Sequence, residues 1–301
     1  MDTSIVTVNW NGARHVQNML SSLITQTKGL NYEIIIVDNG SEPEEQRILE
    51  TLKAQFKDTP IKLIYTGANL GFGKGCNTGA KLAKGRILAF INPDIVLTEN
   101  TLHILTDELE KNPKIGLIAP KLLTSNKKTT FSAMKKSSIL SIALGQLTLP
   151  IARAFHFKTA GNFYVNQDIP TFCDWVYGSF LMLPRKLFEL IKGFDEQYFM
   201  YAEEADLCLS VKKEGNLVCY FPLTAVVHEG EAMAKKVPDL TIKRKAESEF
   251  KFFSKWNGRF YARVNAIING CLFTLKGVIY SILRKEDAKK LIKMGKYRLS
   301  L

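Results

Sequence analysis

The first hundred residues alternate between short apolar runs and longer amphipathic stretches. Short β-branched runs predict buried strands, and apolar residues spaced three and four apart predict helices. Strands are predicted at Ser4–Val8, Tyr32–Val37, Ile61–Tyr65 and Ile87–Ile91, and helices at Val16–Ile24, Glu42–Phe56 and Gly75–Lys84. Because strands and helices take turns at short intervals, we expect an α/β fold in which crossover helices join parallel strands.

The pattern continues after residue 100 with one interruption. A helix at Leu102–Lys111 and a short strand at Gly116–Ala119 come before Lys127–Asn166, which has no clear period. We expect that stretch to be an excursion or loop with some helix. Ordered segments then follow at Cys173–Pro184, Lys186–Lys192, a helix ending near Glu214, and strands at Leu217–Phe221 and Ala225–Val227.

The fourth predicted strand stops abruptly at Asn92-Pro93-Asp94. Proline removes a backbone donor and fixes φ, so the strand is expected to end there. Asp94 then lies just past the carboxyl end of a strand, where open α/β sheets bind ligands. A carboxylate at that point can hold a hard cation against a diphosphate. The alternative is a simple turn in which Asp94 caps the next segment.

Asp38 ends the second predicted strand, so its carboxylate is expected at the same edge of the sheet as Asp94. It can accept a hydrogen bond from the imide N–H of a pyrimidine base, and Trp10 after the first strand offers a stacking face. The alternatives are an Asx-turn at Asp38 and a tryptophan that packs in the core.

A glycine-rich loop, Asn69 to Gly79, follows the third strand and contains Lys74. Glycines allow a backbone to approach a phosphate closely, and the loop predicts a helix N-terminus near Asn77. Neither the Walker pattern nor GxGxxG is present, so the signal is weak.

Three carboxylates cluster in the second half of the chain, at Glu203, Glu204 and Asp206. A carboxylate whose pKa is raised by like neighbours and burial can act as a general base. Acidic residues at the start of a helix also stabilise it, which is the alternative.

Two further motifs lie close to these carboxylates in sequence. His228 follows an apolar strand, where a histidine is either structural or a metal ligand. Trp175, Gly178 and Ser179 form a glycine turn before another apolar strand. That turn either shapes an acceptor pocket or is a plain β-turn.

The C-terminal tail differs in character from the rest. Thr241–Lys255 is basic and helical, and Phe260–Leu283 is apolar but interrupted by charged and amide residues. Charges within a membrane span are costly, so we expect a helix pair that lies on the membrane rather than one that crosses it. Its basic flanks are Arg259, Arg263, Arg284, Lys285, Lys289 and Lys290. The alternative is packing against the protein's own core. We place the domain boundary between 1–232 and 233–301.

The formal net charge of +12 favours an anionic partner such as a phosphate-bearing substrate or anionic lipid. Five scattered cysteines, without a CxxC pair, argue against a disulfide framework and suit a reducing compartment. The N-terminus lacks the pattern of a signal peptide. We therefore expect a cytoplasmic protein at the inner face of the plasma membrane.

Seven motifs follow one another along the chain: VNWNG, VDNGS, NLGFGKGCNTGAKLAKG, FINPD, WVYGSFLMLPRKLF, GFDEQYFMYAEEADLCLS and VVHEG. These motifs and their order resemble family 2 glycosyltransferases, and the resemblance covers about Ser4 to Gly230. The chain most resembles bacterial rhamnosyltransferase-like members that build surface polysaccharide.

This resemblance implies a GT-A fold, with a mixed, mostly parallel sheet flanked by helices, a nucleotide-sugar donor, a divalent metal and inversion at the anomeric carbon. It assigns Asp94 and His228 to Mg²⁺ or Mn²⁺ and Glu204 to the catalytic base. The nucleotide-binding set is Val8, Trp10, Asp38, Asn69, Gly71 and Lys74. The acceptor-binding set is Trp175, Gly178 and Ser179.

Two departures from the family pattern bear on these roles. The usual Glu-Asp pair is Glu203-Glu204 here, so Glu203 or Asp206 could share the role of base. The first aspartate of the Asp-x-Asp motif is replaced by Asn92, which should weaken metal binding.

We therefore expect transfer of a sugar from a dTDP- or UDP-sugar to a glycan or lipid-linked acceptor. Peripheral membrane association is expected, nucleic acid is not expected as a partner, and a homo-oligomer is left open. The alternatives are a nucleotidyltransferase that uses the same sheet edge, and a non-enzymatic basic module that binds membrane or nucleic acid.

Overall fold

The computed structural model describes residues 1–135, 166–230, 238–283 and 286–301. These residues form two compact units. Among the described residues, the N-terminal unit takes in 1–134, 166–199 and 203–230, and the C-terminal unit takes in 135, 200–202, 238–283 and 286–301.

The N-terminal unit contains all the described strands and the first six described helices. The strands are β1 Thr3–Asn9, β2 Tyr32–Asp38, β3 Ile61–Tyr65, β4 Ile87–Ile91, β5 Ile95–Leu97, β6 Ile115–Leu123, β7 Thr129–Thr130, β8 Ala133–Met134, β9 Thr171–Cys173, β10 Trp175–Val176, β11 Phe180–Pro184 and β12 Leu217–His228. The helices are α1 Ala13–Gln26, α2 Pro43–Gln55, α3 Phe72–Ala80, α4 Thr101–Lys111, α5 Arg185–Leu190 and α6 Glu203–Lys213.

The main sheet has the strand order β3-β2-β1-β4-β11-β6-β12-β5. The first four strands are parallel, as are β6 and β12, whereas β11 runs antiparallel to both of its neighbours. The prediction of a mixed, mostly parallel α/β sheet is therefore confirmed. The carboxyl ends of β1, β2 and β4 meet at one edge.

Side chains of the central strands alternate between the two faces of the sheet and are buried on both. Ile5 and Ile34 pack in the cluster under α1, α2 and α4, whereas Val6 and Ile35 pack in the cluster under α3, α5 and α6. A strand that is covered on both faces needs a continuous apolar run, which is why these strands were readable from sequence. Each buried aliphatic side chain contributes roughly 1.5–3 kcal/mol.

The predicted strand Gly116–Ala119 is part of the longer β6, and the two predicted strands near the end of the unit are one strand, β12. The register of β12 on β6 shifts between Phe221 and Ala225, which explains the break in its apolar pattern. Within Lys127–Asn166, β7 and β8 lie in the described residues, whereas 136–165 fall outside them.

The helix predicted at Gly75–Lys84 was misplaced, since α3 begins at Phe72 and ends at Ala80. Its glycines lower helical propensity by about 1 kcal/mol each, and this hid its first turn. They are needed because α3 lies very close to β1. A Cβ on Gly75 would approach Val8 Cγ1 to 2.8 Å, and a Cβ on Gly79 would approach Val6 Cγ1 to 2.5 Å.

The C-terminal unit contains α7 Pro238–Asn257, α8 Arg259–Ile282 and α9 Ala288–Leu299. Glycines let α9 run antiparallel against the second half of α8: a Cβ on Gly277 would lie 2.6 Å from Ile292 Cγ1, and one on Gly270 would lie 2.7 Å from Leu299 Cγ. Arg298 of α9 donates to Glu249 of α7 at 2.6 Å. By length and composition alone, α8 could cross a membrane. The predicted flanking residues Arg284 and Lys285 lie outside the described residues.

Candidate active site

The turn at Asn92–Asp94 lies beside the segment that leads into β11. Phe180 pairs with Ile91, and the backbone N–H of Asn92 donates to the carbonyl of Ser179 at 2.9 Å. Because β11 lies antiparallel between β4 and β6, the predicted acceptor turn at Gly178 and Ser179 lies next to the Asn92–Asp94 turn, which carries the predicted metal ligand Asp94.

Asp94 and His228 face each other across the pairing of β5 with β12. His228 pairs with Ile95, and the backbone N–H of Glu229 donates to the carbonyl of Asp94 at 2.9 Å. Nε2 of His228 lies 3.2 Å from Oδ2 of Asp94, and the side chains are 20% and 15% exposed. The two predicted metal ligands are thus adjacent and accessible to solvent.

These residues fit a divalent cation that takes its other ligands from substrate and water. Two donors in neighbouring positions of an octahedron with bonds of about 2.1 Å lie about 3.0 Å apart, close to the Asp94–His228 spacing. In the same turn, Oδ1 of Asn92 is buried and has no hydrogen-bond donor among the described residues. No group of three His, Cys, Asp or Glu side chains that could hold a metal is found in the described ranges.

The three carboxylates at the start of α6 occupy different environments. Glu203 is 4% exposed, and its Oε2 has no hydrogen-bond partner in the described part of the chain. Burial, and then the neighbouring Glu204 charge, raise the pKa of Glu203 well above its ordinary value. Asp206 is also buried and accepts a hydrogen bond from the hydroxyl of Tyr198 at 3.4 Å. Glu204 is only half-buried.

Glu204 packs directly over the glycine of the predicted acceptor turn. A Cβ built on Gly178 would lie 3.1 Å from Cβ of Glu204 and 3.6 Å from its Cγ. Trp175 is half-buried, and its ring centroid lies 6.3 Å from that of Tyr177. Ser179 is buried and contributes its carbonyl to the Asn92 turn.

Asp38 is fully buried at the end of β2 and is held by bonds within the chain. Its Oδ2 accepts from the backbone N–H of Ser41 and from Gln46, both at 3.1 Å, and its Oδ1 accepts from Asn9 at 3.3 Å. Its backbone bond goes to Ser41, three residues on, whereas the Asx-turn considered from the sequence would bond two residues on. Trp10, immediately after β1, is half-buried.

Asn39 joins the end of β2 to the glycine loop, a role that its sequence position did not signal. Its side chain donates to Asn69 Oδ1 at 3.1 Å and to the carbonyl of Gly71 at 3.0 Å, and it accepts from the N–H of Leu70 at 3.0 Å. The predicted residues Asn69 and Gly71 therefore lie beside the carboxyl end of β2. Val8, near the end of β1, is half-buried.

The helix N-terminus predicted near Asn77 is wrong, because α3 begins five residues earlier, after Gly71 with φ +89°. The side chain of Asn77 instead forms two hydrogen bonds with the backbone of Phe194: it accepts from the N–H and donates to the carbonyl. Lys74, on the first turn, lies 3.6 Å from Oε2 of Glu196 and is half-exposed.

The family model described as Glycosyl transferase family 2 matches residues 4–188. N-acetylglucosaminyl-diphospho-decaprenol L-rhamnosyltransferase of Mycobacterium tuberculosis is 25% identical over 301 residues, which cover 95% of this chain and 96% of that protein. Rhamnosyltransferase WbbL of Escherichia coli is 26% identical over 223 residues, or 65% of this chain and 82% of that protein.

Solved structures share the fold at low sequence identity. A mannosyltransferase from Pyrobaculum calidifontis, in complex with GDP-Man and Mn²⁺, superposes with a TM-score of 0.59 at 14% identity, covering 99% of this chain and 85% of that chain. Staphylococcus aureus TarS 1–349 in complex with UDP gives a TM-score of 0.53 at 15% identity, covering 99% of this chain and 89% of that chain.

Proposed function

The chain belongs to glycosyl transferase family 2, and from this premise we propose that it moves a sugar from a nucleoside diphosphate donor to a hydroxyl of a lipid-linked glycan. The enzyme is a glycosyltransferase with the GT-A fold. The proposed donor is a dTDP- or UDP-sugar, with rhamnose as the leading sugar, and the proposed process is synthesis of bacterial surface polysaccharide. The names of the two rhamnosyltransferase relatives support rhamnose as the transferred sugar.

This proposal rests on one observation. The hydrogen bond between Asn92 and Ser179 joins two neighbouring turns at one edge of the sheet. One turn lies beside the Asp94–His228 pair, and the other lies beside the Glu204–Gly178 contact. That arrangement offers a diphosphate-binding side and an acceptor side next to each other. Charge stabilisation of a leaving group and proton removal from a nucleophile are both needed for this transfer.

In the proposed mechanism, Glu204 takes the proton of the acceptor hydroxyl as its oxygen attacks the anomeric carbon. The bond from that carbon to the diphosphate oxygen breaks, and the nucleoside diphosphate leaves from the opposite face, so the anomeric configuration inverts. Asp94 and His228 would hold Mg²⁺ or Mn²⁺, which supplies positive charge to the leaving diphosphate when it is bound.

The geometry supports Glu204 as the base over its two neighbours. A general base must come within hydrogen-bond reach of the acceptor hydroxyl. Glu204 is half-buried against the acceptor turn, whereas Glu203 and Asp206 are buried. We assign Glu203 and Asp206 to the support of the start of α6, and Trp175, Gly178 and Ser179 to the acceptor side.

We propose that the nucleotide binds over the carboxyl ends of β1 and β2. Trp10 would stack on the base beside Val8, and Asp38 would form the polar floor of that pocket. Asn69, Gly71 and Lys74 would approach the ribose and phosphates from the glycine loop. The half-exposed Lys74 pairs with Glu196, so an anionic ligand would compete with that carboxylate.

We propose that the enzyme works at the cytoplasmic face of the membrane, where it would meet a lipid-linked acceptor. A lipid-linked acceptor is named for the Mycobacterium tuberculosis relative, which matches this chain over nearly its whole length. We propose 1–232 as the catalytic domain and 233–301 as a tail that associates with the membrane.

Binding and transfer together test this proposal. Thermal unfolding is followed with UDP, dTDP and GDP, each with and without Mn²⁺, and a panel of nucleotide-sugars is then scored for hydrolysis or transfer. We expect a metal-dependent rise in unfolding temperature with one nucleotide and turnover of its sugar. Consumption of a nucleoside triphosphate instead would indicate a nucleotidyltransferase, and no response to any nucleotide would indicate a binding module.

A further inference from the structure

The outer face of α8 carries a continuous stripe of exposed apolar side chains. At 3.6 residues per turn, these positions fall on one side of the helix. Phe260 is 84% exposed, Leu275 is 55% exposed and Ile282 is 75% exposed. The whole stripe is Phe260, Ile267, Cys271, Leu275, Val278, Ile279 and Ile282. Exposed apolar surface of this extent marks an interaction site.

The charge of the chain is concentrated in the same unit. Residues 238–301 contain fifteen Lys and Arg against five Asp and Glu, which is +10 of the formal net charge of +12. Arg259 and Arg263 are exposed at the start of α8, and Lys289, Lys290 and Lys296 are exposed on α9. An apolar stripe bordered by cations complements an anionic lipid surface, because apolar side chains enter the acyl boundary while cations meet headgroups.

The packing of α9 on α8 argues against a transmembrane orientation of α8. Close contacts of Gly270 and Gly277 hold the basic α9 along the second half of α8. If α8 crossed a bilayer, the lysines of α9 would enter the hydrocarbon beside it, at a high cost for each charge. With α8 parallel to the surface, the same lysines stay at headgroup level and the buried face of α8 keeps its protein contacts.

We propose that the outer stripe of α8 docks the C-terminal unit on an anionic bilayer, with α8 lying in the plane of the headgroups. The stripe is separate from the residues assigned to sugar transfer, so this inference holds for any donor and acceptor.

Cys271 provides a direct test, because it lies near the middle of α8 on the stripe while the other four cysteines of the chain are buried. An environment-sensitive fluorophore is attached to Cys271 in the full chain, and Cys271→Ser serves as the labelling control. Vesicles of phosphatidylcholine alone are compared with vesicles of equal parts phosphatidylcholine and phosphatidylglycerol. We expect a blue shift only with the anionic vesicles.

Depth-dependent quenching then separates the two orientations. A helix that lies in the headgroup plane places the label about 5–10 Å into the boundary region, so quenchers near the headgroups act more strongly than quenchers at the acyl ends. A spanning α8 would place Cys271 near the bilayer centre and reverse that order. Stronger quenching from the acyl ends would overturn the proposal.

Substitutions on and off the stripe complete the experiment. We expect Leu275→Glu with Ile282→Glu to abolish the blue shift, and Lys289→Gln to weaken vesicle binding about fivefold. The matched control is Leu190→Glu, which replaces a 63% exposed leucine of α5 and should bind like the parent protein. Circular dichroism checks that each variant is folded.

Two results would contradict docking of α8 on lipid. A blue shift that grows with protein concentration without lipid would indicate pairing of two copies. Equal vesicle binding by all variants would show that the stripe on α8 is not the docking surface.

Discussion

Nε2 of His228 lies 3.2 Å from Oδ2 of Asp94, although the two residues are far apart in the chain. The contact exists because β12 continues past its register shift and pairs antiparallel with β5, which follows the Asn92–Asp94 turn directly. A short loop alone would not fix such a spacing. A ladder of backbone hydrogen bonds holds the two side chains in place before any ligand binds.

Removing either partner of this pair should weaken metal-dependent nucleotide binding. For Asp94→Asn and His228→Gln, we expect a loss of at least about tenfold in Mn²⁺ affinity in the presence of the nucleotide, because each removes one ligand. Isothermal titration calorimetry measures the affinity for Mn²⁺. His15→Gln is the matched control, since His15 lies at 3.3 Å from Glu229 on the same edge but is not one of the pair. Equal losses in all three variants would argue for a general disturbance of the edge.

Asn92→Asp should restore the second carboxylate of the motif and make the protein more dependent on metal. Because Oδ1 of Asn92 is buried without a donor from the described residues, a charge there is costly without a cation. We expect a lower unfolding temperature in EDTA than for the parent protein, and a larger increase when Mn²⁺ and nucleotide are added. Thermal unfolding measures both. An unchanged response to Mn²⁺ would place the cation away from this turn.

Glu203 should make the protein less stable as pH rises. Burial raises the pKa of this carboxyl from the ordinary 4.5, so the folded protein holds the proton more tightly than the unfolded chain. Its contribution to stability is complete below pH 4.5 and is lost as pH rises towards the folded-state pKa. The glutamine of Glu203→Gln cannot ionise, so this variant does not lose stability in this way. The difference in unfolding temperature between the variant and the parent should therefore grow above pH 4.5, by about 2–4 °C for each kcal/mol of stability that the parent loses. A constant difference across that range would mean that Glu203 titrates normally.

One glycine just before the glycine loop and one inside it offer a matched pair of stability variants. Gly67 and Gly71 both have positive φ, which costs about 1–2 kcal/mol for alanine. A Cβ on Gly67 would meet no atom of the described part of the chain within 4 Å, whereas a Cβ on Gly71 would lie 2.2 Å from the carbonyl oxygen of Phe199. We therefore expect the free energy of unfolding, measured in urea, to fall by about 1–2 kcal/mol in Gly67→Ala and by about 3–5 kcal/mol in Gly71→Ala. Equal costs would show that the loop can move away from Phe199.

The strands were readable from the sequence where local chemistry determines them. The apolar runs at β2 and β4 coincide almost residue for residue with the strands, because both faces of these strands are buried. The run at β3 coincides as well, although β3 is a mostly half-buried edge strand. The turn at Asn92–Asp94 was equally local, since proline ends the strand whatever surrounds it. Asp94 and His228 could accordingly be placed at strand ends.

Features that depend on distant contacts could not be read in this way. The start of α3 was missed because its glycines are chosen for contact with Val6 and Val8 on β1, against their own helical propensity. Asn39 directly follows the second strand in the sequence, yet its side chain bonds the glycine loop of a later segment. The separation of Glu204 from Glu203 and Asp206 also needed the structure, because adjacent residues at a helix start can face either the core or the acceptor turn.

The most direct test of the account is transfer by the parent enzyme, Asp94→Ala and Glu204→Gln, with the nucleotide-sugar selected in the binding panel and a lipid-linked acceptor. The anomeric configuration of the product is determined by NMR. We predict an inverted product from the parent enzyme, and a loss of about 10²–10⁴-fold in kcat for Glu204→Gln while nucleotide binding is retained. Asp94→Ala should lose both transfer and metal-dependent binding. Transfer that survives both substitutions, or a product with retained configuration, would contradict the assignment.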